Sequence, residues 1–233
     1  VNILDLQAEL KATGRYAGAL DGRWGRLTES AILLAMSDGP DTSATPGDFA
    51  AAGHAMGIAA EAIHAFWIVE ASGAAFQDGR PKILPERHYF SKLTSGRFDR
   101  SYPKVSYPKW GTLPYPATQD DRYDLLLAMV CLDVDAGFAS CSYGAPQIMG
   151  ANYRMCGYAS SFAFAAAMAR DEATQLRAFA SFITATGIVN YLRRVNRSTD
   201  TWSEVAKRYN GPAFQKNDYA TKLRDAYVMI GGK

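Results

Sequence analysis

Ile63, Phe66 and Trp67 recur at the spacing that makes one apolar face of a helix, and Glu70 falls on that face, four residues after Phe66 and three after Trp67. A chain carrying this stretch has to bury the face, and it takes a carboxylate inward with it. Ser72 and Gly73 end the helix, which leaves Glu70 in the last turn beside the partial negative charge of the carbonyl ends. Burial against aromatic carbon and the helix-end dipole both disfavour the ionised form, so a raised pKa is predicted. A general acid working near neutral pH needs this. The same pattern also suits a glutamate that caps a neighbouring backbone or pairs with an arginine, and the stretch alone leaves both readings open.

The remaining patterns are also mainly helical. Leu126, Met129, Val130 and Leu132 mark a core helix within 123–135, and further helices are expected over 162–168, 176–183, 202–209 and 219–230. No strand–helix alternation is present, which argues against a doubly wound parallel sheet. Asp78-Gly79 between short extended pieces predicts one small β-hairpin directly after the glutamate helix. Residues 97–118, rich in Tyr, Pro and Lys and without period, read as a long packed loop.

At the amino end, Ile3, Leu6 and Leu10 predict a short amphipathic helix that stops at Gly14. A glycine-rich turn region follows to Gly25, and Thr28 is placed to cap a second helix through Ala31, Leu34 and Ala35. Residues 37–46 are polar, rich in Pro and Gly, and read as a linker or long loop. A third short helix is folded into that stretch or follows from Asp48. The expected division is therefore a module with its linker over 1–45 and a main domain over 46–233.

With 48% hydrophobic and 21% charged residues the composition is that of an ordinary globule with a sizeable core. No apolar run reaches the length of a membrane span, and the amino end lacks the charged-then-apolar pattern of a signal peptide. A net charge of +2 does not argue for nucleic acid as a partner. Beyond Arg154, basic residues outnumber acidic ones about two to one, a bias suited to a polyanionic surface or a solvated helical face. Cys131, Cys141 and Cys156, with only three histidines, match no metal-ligand spacing, so no metal site is expected.

Two resemblances add to this. Leu6-Gln7 with Leu10, the run Gly14 to Gly18, Leu20-Asp21-Gly22-Arg23-Trp24-Gly25 and Thr28 to Ile32 resemble the peptidoglycan-binding type-1 domain, a small three-helix module. That resemblance implies wall anchoring, with Tyr16, Asp21, Trp24 and Arg26 as surface contacts; Trp24 could equally be the core residue of so small a unit.

The second is carried by four ordered blocks: Val69 to Gly73, Ile83 to Phe90, Tyr143 to Tyr153, and Arg208 to Pro212 with Asn217 and Tyr219. Together they resemble the N-acetylmuramidase family of phage endolysins within the lysozyme-like superfamily. Pro85 and the pair Ala145-Pro146 depart from the family pattern and bear on the shape of the groove.

The implied fold is a lysozyme-like α domain with its hairpin behind the three-helix module. The implied activity is cleavage of the bond between N-acetylmuramic acid and N-acetylglucosamine in peptidoglycan, without a cofactor. Glu70 would be the acid and Glu86 the second catalytic carboxylate, with Asp78 or none as alternatives. Gln147, Ile148, Tyr209, Asn210 and His88 would contact substrate, although Gln147 also suits a structural amide and His88 a structural histidine. A lytic transglycosylase with Glu70 as both acid and base, and a non-catalytic wall-binding protein, are the competing readings. The resemblance further implies a monomer held in the host cytoplasm until release to the periplasm. The stripe Tyr219, Leu223, Tyr227 and Ile230 is a candidate contact for anionic outer-membrane lipid.

Overall fold

The computed structural model describes residues 1–37, 39–71, 73–210 and 218–233, the side chain of Asn210 excepted. Two helices open the chain, Ile3–Ala12 (α1) and Arg26–Ala35 (α2), and Pro46–Met56 (α3) and Ala60–Glu70 (α4) follow. Asn2 and Asp5 close a capping box on α1; Thr45 and Asp48 do the same on α3, with Pro46 in its first turn. Thr28 does not cap α2. It lies inside the helix, buried, and the cap position is taken by Gly25 without a side-chain bond.

Thr28 serves a different purpose. The fully buried amide of Gln7 donates to Thr28 Oγ1 (3.3 Å), Asp21 Oδ1 (3.0 Å) and the Arg23 carbonyl (3.0 Å), and its oxygen accepts from the backbone of Asp21 (3.2 Å) and Gly22 (2.9 Å). One side chain thus holds the Asp-Gly loop onto α1 and α2. Gln7→Leu strips partners from several of these groups at once and is expected to lower the unfolding free energy by about 1–3 kcal/mol. A urea midpoint that did not move would show that water replaces the amide.

After α4 the chain forms the expected hairpin, Phe76–Gln77 (β1) with Arg80–Pro81 (β2), in the register Gln77 opposite Arg80. Asp78 (φ 53°) and Gly79 (φ 73°) are both left-handed, as a two-residue turn of this twist requires. A second, three-stranded antiparallel sheet was not expected: Ile83–Pro85 (β3), Cys141–Tyr143 (β4) and Ile148–Met149 (β5), in that order. Its strands have only two or three residues, too few to show a period of two. Between β3 and β4 lie Arg87–Leu93 (α5), Gln119–Leu132 (α6) and Val134–Ala139 (α7). Gly144, left-handed at φ 72°, turns β4 towards β5; a Cβ there would meet the buried Gln175 amide at 2.5 Å. That amide accepts from the Ala145 N–H (2.8 Å) and donates to the Met168 carbonyl (2.8 Å).

Ser161–Met168 (α8), Glu172–Ala185 (α9), Val189–Leu192 (α10), Thr199–Asn210 (α11) and Tyr219–Met229 (α12) complete the chain. Helix α4 packs against α3 and α12, and its Phe66 ring meets Phe179 of α9 at 5.2 Å. The apolar interior runs without a break from Leu6, Leu10 and Ile32 of the first two helices to Leu223 and Tyr227 of α12. Residues 39–46 are not a free linker. The Asp41 N–H bonds the Arg170 carbonyl (3.2 Å), the Thr42 carbonyl accepts from Glu172 (3.0 Å), and the Ala44 N–H reaches the Glu172 carboxylate (3.0 Å). Helix α3 packs on α4 and α9, beside the main body rather than within the module.

No helix among the described residues is long and apolar enough to cross a membrane; α3 and α4 reach that length only together and meet at 115°.

Candidate active site

Helix α4 ends on Glu70, and the next backbone N–H, that of Ala71, closes on the Trp67 carbonyl at 2.7 Å. Ile63 and Phe66 are fully buried and Trp67 nearly so, which turns the last turn of the helix inward. Glu70 Oε1 is shut off from solvent and has no hydrogen-bond partner among the described residues. Burial pushes the carboxyl up from its ordinary 4.5 to about 7; a hydrogen bond with the Tyr209 hydroxyl works in the opposite direction. Tyr209 stands in the last turn of α11, its ring set edge-on to Phe66 at 5.0 Å and to Phe179 at 6.3 Å. Burial, and then the neighbouring Glu70, raise the tyrosine itself well above its usual range, so it stays a neutral hydroxyl. Together these residues make a carboxyl half protonated near neutrality, oriented by one phenol.

Tyr209→Phe removes the bond that favours the ionised form. The midpoint of Glu70 is therefore expected to rise above 7, and the alkaline limb of a pH–activity profile to move upward with it. An unchanged limb would contradict this assignment of the hydrogen bond.

Glu86 and His88 form a second group. Glu86 follows β3 at the cap position of α5, where its N–H bonds the Ser140 carbonyl at 2.9 Å. Its two oxygens accept from the Tyr115 hydroxyl at 2.9 and 2.8 Å, and His88 Nδ1 lies 3.2 Å from one of them. Tyr115, from the long 97–118 loop, was not singled out in the sequence, where nothing in its local pattern ties it to a glutamate 29 residues earlier. Asp78 is exposed in the hairpin turn.

Gln147 sits at φ 47° between β4 and β5 with both ends of its amide engaged. It donates to the carbonyls of Gly144 (2.7 Å) and Lys82 (3.2 Å) and accepts from Ser142 Oγ (2.8 Å). Its side chain fastens the turn to the segment before β3. Ile148 pairs with Tyr143 and is buried. The side chain of Asn210, like Ser72, Gly211, Pro212 and Asn217, lies outside the described residues.

In the amino-terminal helices, Tyr16 is buried at 6% exposure, its hydroxyl bonded to the Ala19 carbonyl, so it fills the small core rather than meeting a partner at the surface. Trp24 is half-buried, with its indole N–H on Glu29 (2.8 Å). Asp21 and Arg26 are exposed. The three cysteines are free thiols, and burial pushes Cys156 up to about 12.

The model of the N-acetylmuramidase family matches residues 59–230, a span that includes Glu70, Glu86, Gln147 and Tyr209. The chain belongs to the N-acetylmuramidase family. Among solved structures, the crystal structure of the endolysin of Burkholderia phage AP3 is similar to it, with a TM-score of 0.71 and 28% identity. The alignment covers 97% of this chain and 94% of that one. No curated protein matches the chain. This muramidase is a peptidoglycan hydrolase, and its helical body with two small sheets is the lysozyme-like arrangement. The family match begins at residue 59, so α1, α2 and α3 all precede it.

Proposed function

We propose that Glu70 is the general acid of this muramidase and protonates the glycosidic oxygen of the bond after N-acetylmuramic acid. The reading is carried by one arrangement, a carboxyl closing the inward-facing end of α4 with a titration midpoint at about 7 and a bound phenol. A neutral carboxylic acid at that midpoint can give up its proton as charge builds on the leaving oxygen, and such a group contributes about 10²–10⁴ in rate. The positive charge that develops on the sugar ring then calls for a carboxylate. Glu86, held by Tyr115 and His88, is the candidate.

A second mechanism needs only Glu70, whose midpoint at about 7 suits a group that both gives and takes a proton. A single glutamate can serve as acid and then base, with the muramic acid closing on itself as in a lytic transglycosylase. Mass spectrometry of digested wall separates the two, with reducing muramic ends for hydrolysis and anhydro ends for ring closure.

The first 45 residues are read as the wall-binding module, with Asp21, Arg26 and the accessible edge of Trp24 as its contacts. The protein is expected to act as a monomer on the periplasmic side after release from the host cytoplasm. Contact with anionic outer-membrane lipid would fall to Val228 and Met229, which are exposed at the end of α12, because Leu223 and Tyr227 of the same helix are buried.

A further inference from the structure

Trp110 is 72% exposed. It shares a cleft with Tyr115, which gives its hydroxyl proton to Glu86. His88 holds the far side of the same carboxylate. The loop that carries Trp110 is fastened as well. Arg87 donates to the carbonyls of Lys104 (2.7 Å) and Pro114 (2.9 Å), on either side of Trp110, and the Tyr107 N–H returns to the Arg87 carbonyl. Gly111, left-handed at φ 72°, turns the chain immediately after the tryptophan. Glu86, His88, Trp110, Gly111 and Tyr115 line one cleft that also receives Lys109.

An indole with most of its surface in water gains little for folding. Carried on a loop that Arg87 fastens, it suits a platform whose apolar ring is open to a ligand. Beside the platform stand a carboxylate with acceptor capacity and a lysine cation. We infer that Trp110 stacks on a sugar ring of the glycan strand, in a subsite where Glu86 accepts from a sugar hydroxyl or amide N–H and Lys109 donates to the carbonyl oxygen of the lactyl group. This inference rests on the peptidoglycan-hydrolase reading and gives Glu86 work in binding that does not depend on its being a catalytic carboxylate.

The test titrates the Glu70→Gln chain, followed by isothermal calorimetry, with a tetrasaccharide of alternating N-acetylglucosamine and N-acetylmuramic acid that lacks stem peptides. Adding Trp110→Ala should weaken binding about tenfold, the scale of losing a stacked tryptophan. Trp110→Phe should recover much of the loss. In the otherwise unchanged enzyme, Trp110→Ala should raise KM with little effect on kcat. Its thermal midpoint should not move, because the side chain is mostly in water. Equal affinity of the Trp110→Ala and parent chains would overturn the inference. A fall in thermal stability that accounted for the loss of binding would overturn it as well. Consumption of the tetrasaccharide by the Glu70→Gln chain would instead refute the acid assignment, and the affinity comparison would still decide the stacking role.

Discussion

Glu70→Gln should reduce turnover of purified wall by about 10²–10⁴ while leaving binding to that wall intact. Glutamine has the same shape and keeps an acceptor for the Tyr209 hydroxyl, so packing around Phe66 and Phe179 should not change. The amide has no proton to give at the moment the glycosidic bond breaks. In the unsubstituted chain the same requirement sets the pH profile. Below about 7 the acid is mostly protonated; above it, each further pH unit removes about nine-tenths of the competent form, so kcat/KM should fall on the alkaline side. Retention of more than a tenth of the activity by Glu70→Gln at pH 6 would remove Glu70 from the role.

The same substitution should make the protein more stable, by an amount that grows from about pH 4.5 and levels off above 7. The native carboxyl titrates at about 7 and the unfolded one near 4.5, so between these values the native state binds more protons than the unfolded. The stability carried by the neutral, buried form is complete below 4.5 and is lost as pH rises through 7. By pH 8 the native state holds an ionised carboxylate away from water, at a cost of at most about 3 kcal/mol. Glutamine carries no such cost. The thermal midpoint of Glu70→Gln should therefore exceed that of the parent by roughly 6–10 °C at pH 8, and the two should coincide at pH 4. A difference independent of pH would mean that the gain comes from packing and not from titration.

What the sequence made legible was local. The apolar spacing of Ile63, Phe66 and Trp67 placed Glu70 inward, and the stop after it set the glutamate at the helix end. Asp78-Gly79 announced the hairpin because both turn residues must be left-handed. Features made by distant parts of the chain did not show. Glu86 is claimed by Tyr115 across 29 residues, and the stretch over 39–46 is pinned by Arg170 and Glu172. Tyr16, in a motif that reads as a surface, packs into the interior that the first two helices share with the rest of the chain. Strands as short as β3 to β5 carry no alternation to read. Gln7 looks like any polar residue on a short helix; only the folded loop reveals how many groups it satisfies.

The proposed acid can be observed without substrate and without substitution. The carboxyl carbon of Glu70, followed by NMR in the free protein from pH 4 to 9, should titrate with a midpoint at about 7. A midpoint near the ordinary 4.5 would contradict a glutamate held protonated for catalysis.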